Sequence, residues 1–141
     1  MKINQLSIFV ENKPGHLAAP CVALAEAGIN LLTLALADTR QFGILRLIVR
    51  DWQKARDVLT RAGFAVTVTE VLAIEVPDRP GGLAELLKIL ERAKINVEYM
   101  YAFTASLGDR AVLVFRFEDA DAAMACLTQA GVNVLSQVQE Y

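Results

Sequence analysis

The side chains that could do chemistry in this chain are few and widely spaced. His16 is the only histidine in 141 residues, so a Ser-His-Asp or Cys-His arrangement has no evident nucleophile beside its one available base. One histidine and two cysteines cannot assemble a zinc ligand set either. Cys21 and Cys126 both fall at apolar positions of helical patterns, where a free thiol serves as a small buried hydrophobe. No catalytic residue, metal or cofactor is expected.

What the chain does carry, twice, is a set of groups suited to holding a small ligand. Asn12, Lys13, Pro14, Gly15, His16 and Leu17 are matched by Asp78, Arg79, Pro80, Gly81, Gly82 and Leu83 at a spacing of 66 residues, and Asn30 and Asn96 follow in the same register. A glycine lets the backbone approach a ligand closely, and a helix opening just after it presents N–H groups with partial positive charge that suit a carboxylate. Asn12 or Asp78 can take an ammonium or another donor, and the amides of Asn30 and Asn96 supply both a donor and an acceptor. Each residue also has a plain structural use. Asn30 and Asn96 suit a turn that bonds its own backbone, Gly15 and Gly81 suit any tight turn, and His16 either lines the first pocket or stands in solvent.

The elements that would position these groups follow the same repeat. In 3–10, Leu6, Ile8 and Val10 alternate with Gln5, Ser7 and Phe9, which predicts a strand with one apolar side. After the turn, apolar residues at 17, 21, 24 and 28 have helical spacing, and Pro20 fits only in the first turn of that helix. Gly28 ends it. Residues 29–37 read as a strand buried on both faces, 44–50 as its hairpin partner, 52–62 as a second helix stopped by Gly63, and 65–69 as a closing strand. The second copy predicts a strand over 71–76, a helix over 82–94, strands over 97–105 and 111–118, a helix over 120–130 and a strand over 132–138. Past the second hairpin the register becomes 68, matching Asp51 to Asp119 and Gly63 to Gly131. No Gly, Pro or Ser separates the copies, so a stiff junction is expected.

Each copy is therefore β-α-β-β-α-β, an α+β class of two ferredoxin-like repeats over 1–70 and 71–141, each an antiparallel sheet with helices on one face. The other face should carry Phe9, Ile44, Ile48, Tyr99, Tyr101, Phe103, Val112 and Val114, and is expected to be covered in a homo-oligomer, most simply a dimer. The sheet aromatics raise the alternative of RNA binding. A net charge of −2 and singly scattered basic residues argue against any nucleic-acid partner. No stretch has the apolar length of a membrane span or the form of a signal peptide, so no membrane association and a cytoplasmic location are expected.

The pattern Asn/Asp-basic-Pro-Gly-x-Leu-Ala, then about ten helical residues, then Ile-Asn, present twice, resembles the ACT domain, the small-molecule-binding regulatory module of many enzymes of amino-acid metabolism. The resemblance covers the whole chain and implies a free-standing tandem protein without catalysis. It would bind an amino acid at Asn12, Gly15, His16, Leu17 and Asn30 and at Asp78, Gly81, Gly82, Leu83 and Asn96. It would pass that event to an enzyme of amino-acid metabolism or to its own assembly. Lys13 stands where serine-responsive members carry arginine, and Asp78 where they carry asparagine, so the two sites need not be equivalent. An acylphosphatase-like enzyme on the same fold would need a glycine-rich anion loop carrying arginine; here Lys13 or Arg79 precedes proline and the motif is absent.

Overall fold

The computed structural model describes residues 2–38, 40–104 and 108–137. The chain divides into two compact units, Asn4–Thr69 and a second comprising Met1–Ile3 with Glu70–Tyr141. The first contains β1 (Ile3–Glu11), α1 (Ala18–Glu26), β2 (Leu31–Asp38), β3 (Phe42–Val49), α2 (Trp52–Arg61) and the opening residues of β4 (Val66–Pro77). The second contains the rest of β4, then α3 (Gly82–Arg92), β5 (Val97–Ala102), β6 (Arg110–Phe117), α4 (Ala120–Gln129) and β7 (Val134–Leu135).

In the first unit the strands order β2-β3-β1-β4, with β3 antiparallel to both neighbours. The expected alternation is visible in what is buried. Leu6, Ile8 and Val10 of β1 join Leu45, Leu47 and Val49 of β3 under Leu24, Ala55 and Leu59 of the two helices. The second unit repeats this with order β5-β6-β4 and β7 on the far side of β4. Leu72, Ile74, Val76, Phe115 and Phe117 lie there under Leu86, Leu90, Ala123 and Leu127. α2 and α4 open on Asp51 and Asp119, whose carboxylates accept from Lys54 N–H and Ala122 N–H, each at 3.0 Å, the usual N-cap arrangement. α1 starts at Ala18, which places Pro20 within the first turn, where its missing N–H removes no helical bond.

Three expectations need correction. β2 is an edge strand bonded only to β3, so Leu34 and Leu36 remain 43% and 48% exposed rather than buried on both faces. A register shift between Leu31 and Thr33 turns Leu32 out of step with them. On the sheet face away from the helices, Ile48, Phe103, Val112 and Val114 are already buried within this single chain, whereas Phe9 stays 54% exposed and stacks on Phe42 with centroids 5.1 Å apart. The strands expected over 97–105 and 132–138 are shorter, ending at Ala102 and Leu135. Ala105 to Leu107 and Val138 onward lie outside the described residues.

Candidate functional site

The Pro-Gly turns are built on backbone geometry that only glycine adopts readily. Gly15 and Gly81 have φ of 85° and 89°, in the left-handed region that side chains disfavour. A Cβ at Gly15 would meet nothing within 4 Å, so the glycine is required by the turn's φ and not by crowding. Gly82 is the opposite case. Its own Cβ would lie 2.1 Å from the Pro77 carbonyl oxygen, so α3 begins in direct backbone contact with the end of β4. His16 occupies the matching position in the first repeat and has a Cβ that this approach excludes. There the helix begins at Ala18, the counterpart of Ala84, two residues later than Gly82.

α1 and α3 share a second property that α2 and α4 lack: no side chain caps their N-termini. Ala19 N–H and Glu85 N–H bond to the carbonyls of Gly15 and Gly81 at 3.1 and 2.9 Å, and Gly82 N–H to Arg79 O at 3.0 Å, so backbone and not side chains closes these helix starts. Beside each of these helix starts lies a cavity. In the first repeat it measures about 410 Å³ and is lined by Phe9, Val10 and Glu11 of β1, by Gly15, His16 and Ala19, and by Phe64 after α2. In the second it measures about 190 Å³ and lies among Glu75, Val76 and Pro77 of β4, the α3 residues Gly82, Glu85, Leu86 and Ile89, Arg110 of β6, and Gly131, Val132 and Asn133 after α4. The two cavities occupy equivalent places. Phe9, Val10, Glu11, His16, Ala19 and Phe64 correspond to Glu75, Val76, Pro77, Gly82, Glu85 and Val132 in the registers of 66 and 68.

Of the expected site residues, Gly15, His16 and Gly82 line these cavities; Asn12, Leu17, Asn30, Asp78, Gly81, Leu83 and Asn96 do not. Asn12 and Asp78 are exposed at the hairpin end of their sheets, where their N–H groups donate to Gln41 O at 2.9 Å and Asp109 O at 2.8 Å. The Asn12 side chain donates to Arg40 O at 3.3 Å. Asn30 and Asn96 are exposed past the other end of α1 and α3. The Asn96 carbonyl accepts from Glu118 N–H at 3.3 Å. At 1.5 Å per residue the intervening helices are about 14 and 16 Å long, so neither repeat closes its loop residue and its strand asparagine around one small ligand. His16 is half-exposed, its Nδ1 4.0 Å from the Glu11 carboxylate, which also pairs with Lys13 at 3.1 Å.

Sequence reasoning missed Glu75, Arg110 and Asn133. Glu75 is held by Arg110 Nε at 3.3 Å and by the side-chain amide of Asn133, and its own side chain is only 15% exposed. A signal was present. The counterparts of these residues are Phe9, Phe42 and Ala65, so an apolar set in one repeat is charged in the other. Among the described residues no group of three or more His, Cys, Asp or Glu side chains is placed to hold a metal ion, and no helix is long and apolar enough to cross a membrane.

Comparison with known proteins agrees with this architecture. No curated protein matches the chain by sequence. Among solved structures, protein BT0572 from Bacteroides thetaiotaomicron is 40% identical over 96% of this chain and 92% of its own, with a TM-score of 0.91. The regulatory subunit of aspartate kinase from Thermus thermophilus, in its ligand-free form, shares the fold at 20% identity and a TM-score of 0.63, covering 90% and 91% of the two chains. Aspartate kinase from Synechocystis does so at 22% identity and 0.59, where this chain spans 28% of that protein. Residues 1–140 match the ACT domain pair as a unit, so the chain belongs to the family of ACT domain pairs.

Proposed function

We propose that this protein is a non-catalytic regulator that binds a small amino acid beside the Pro-Gly turns and passes the event to a partner enzyme or to its own assembly. The observation that carries this reading is the recurrence, at equivalent positions, of a cavity bordered by a helix start that no side chain caps. A helix start of this kind attracts a carboxylate. Gly15, His16, Leu17, Gly81, Gly82 and Leu83 would present backbone to the ligand, with Asn12 and Asp78 at the rim. Asn30 and Asn96 complete a site only when contributed by a second chain.

Two further features support transmission through assembly. Phe9 and Phe42 form an exposed aromatic pair, and Leu34 and Leu36 are exposed on an edge strand; both are the kind of surface that a second chain covers. A thermal-shift screen of the whole chain against the common amino acids tests the reading. A ligand at 100 times its dissociation constant adds about 2.7 kcal/mol of stability, and this should appear for one amino acid or a close group of them. A flat response to all of them would refute amino-acid binding.

A further inference from the structure

The two repeats use one backbone arrangement with opposite side-chain chemistry. In the first, Phe9 N–H donates to Ala65 O at 3.2 Å and the Phe9 ring stacks on Phe42. In the second, Glu75 N–H donates to Asn133 O at 3.0 Å, and the Glu75 carboxylate is paired with Arg110 and bonded by the Asn133 amide. Since Phe9, Phe42 and Ala65 fill the same three places, the fold does not need charge there. The ion pair joins a 15%-exposed Glu75 to a 44%-exposed Arg110, and a pair open to solvent on one side adds little stability. Its presence on a cavity wall calls for a use other than stability.

We propose that Glu75, Arg110 and Asn133 are the recognition set of a binding site confined to the second repeat. Its ligand is a small molecule carrying one ammonium and one carboxylate, of the α-amino acid class. This rests on the functional reading above and assigns it to residues that reading does not include. Glu75 accepts from the ligand ammonium while keeping the Asn133 bond. The Arg110 guanidinium has five N–H donors and turns from Glu75 toward the ligand carboxylate, which the opening turn of α3 also faces. The cavity of about 190 Å³ is below the roughly 300 Å³ at which pockets for larger ligands begin, so the ligand side chain is small or extends into solvent. Glu75 and Glu85 both line the cavity against the single cation Arg110, with Arg79 engaged on Glu85 at 3.2 Å. A second carboxylate on the ligand is therefore disfavoured.

Titration calorimetry of the full chain with glycine, L-alanine, L-serine, L-lysine and L-aspartate tests this. One or more of the first four should bind with a stoichiometry of one per chain, and aspartate should bind more weakly. Glu75→Gln preserves shape and the Asn133 bond, yet it should weaken that affinity about tenfold or more, the usual consequence of removing a charged hydrogen-bond partner. Phe9→Ala should leave it unchanged. Glu75→Phe, Arg110→Phe and Asn133→Ala combined import the first repeat's own residues and should keep cooperative unfolding while abolishing binding. Unaltered affinity in Glu75→Gln or in the combined variant overturns the proposal and leaves amino-acid binding standing, as does loss of binding in Phe9→Ala. If none of the five binds the wild-type chain, the proposal falls; if the wider amino-acid screen is also flat, the functional reading falls with it.

Discussion

Replacing Gly82 with alanine probes the contact that sets where α3 begins. The added Cβ would sit 2.1 Å from Pro77 O and 3.2 Å from the Pro77 carbonyl carbon. To reach the 3.0 Å below which real contacts essentially never fall, helix and strand must separate by about 1 Å. Neither side yields easily. Pro77 is held in register with Arg110, and the helix start is fixed by Gly82 N–H to Arg79 O at 3.0 Å and Glu85 N–H to Gly81 O at 2.9 Å. Overpacking of this kind costs roughly 1–3 kcal/mol, and a backbone-to-backbone clash belongs near the top of that range. The expected loss is about 2 kcal/mol, measurable as a lower urea midpoint at unchanged slope. His16→Gly is the control: with no clash to relieve, it should cost at most about 1 kcal/mol of chain entropy. A Gly82→Ala chain within about 0.5 kcal/mol of wild type would refute the argument that this contact governs the helix start.

Other outcomes follow from the same geometry. Asp51→Ala and Asp119→Ala each remove an N-cap bond and should each lower the unfolding free energy by about 1 kcal/mol. Lys94 has φ of 56° at the position where the first repeat has Gly28 at 70°; Lys94→Gly trades roughly 1–2 kcal/mol of left-handed strain for about 0.5–1 of chain entropy, so it should raise the melting temperature slightly. The Lys2 ammonium is pushed above its ordinary value of 10.5, first by its hydrogen bond to Asp121 and further by Glu70. A raised lysine stabilises the fold fully below its unfolded value and loses that contribution as pH climbs through the folded one. Lys2→Gln should therefore be less stable than wild type at neutral pH, with the gap closing as pH climbs above 10.5; a gap that stays open well above that value would contradict this assignment.

Much of the fold was legible because the signals are local. Leu6, Ile8 and Val10 alternate, and all three are buried. Pro20 and the apolar spacing around it predicted where α1 could start. The identical Pro-Gly and Ile-Asn pairs exposed the repeat, and hence the order of elements in both copies. The limits are equally specific. Leu34 and Leu36 read as core because their pattern is that of a buried strand, and no pattern within a strand says whether it lies at an edge. The Asn residues after each helix looked like partners of the Pro-Gly turns because they recur together, yet recurrence says nothing about distance, and a helix length separates them.

By itself the sequence determined the class, the repeat, the glycines at left-handed turns and the face each strand turns inward, all properties of a few neighbouring residues and the periods of helix and strand. Only the tertiary structure decided that β2 is an edge and that Ile48, Val112 and Val114 are already covered. It also decided that Glu75, Arg110 and Asn133 line one cavity. Those three come from β4, β6 and the segment after α4, and their meeting depends on strand register and on where β7 begins beside β4. Register is set by pairing between distant segments, so no local period in the chain could announce it.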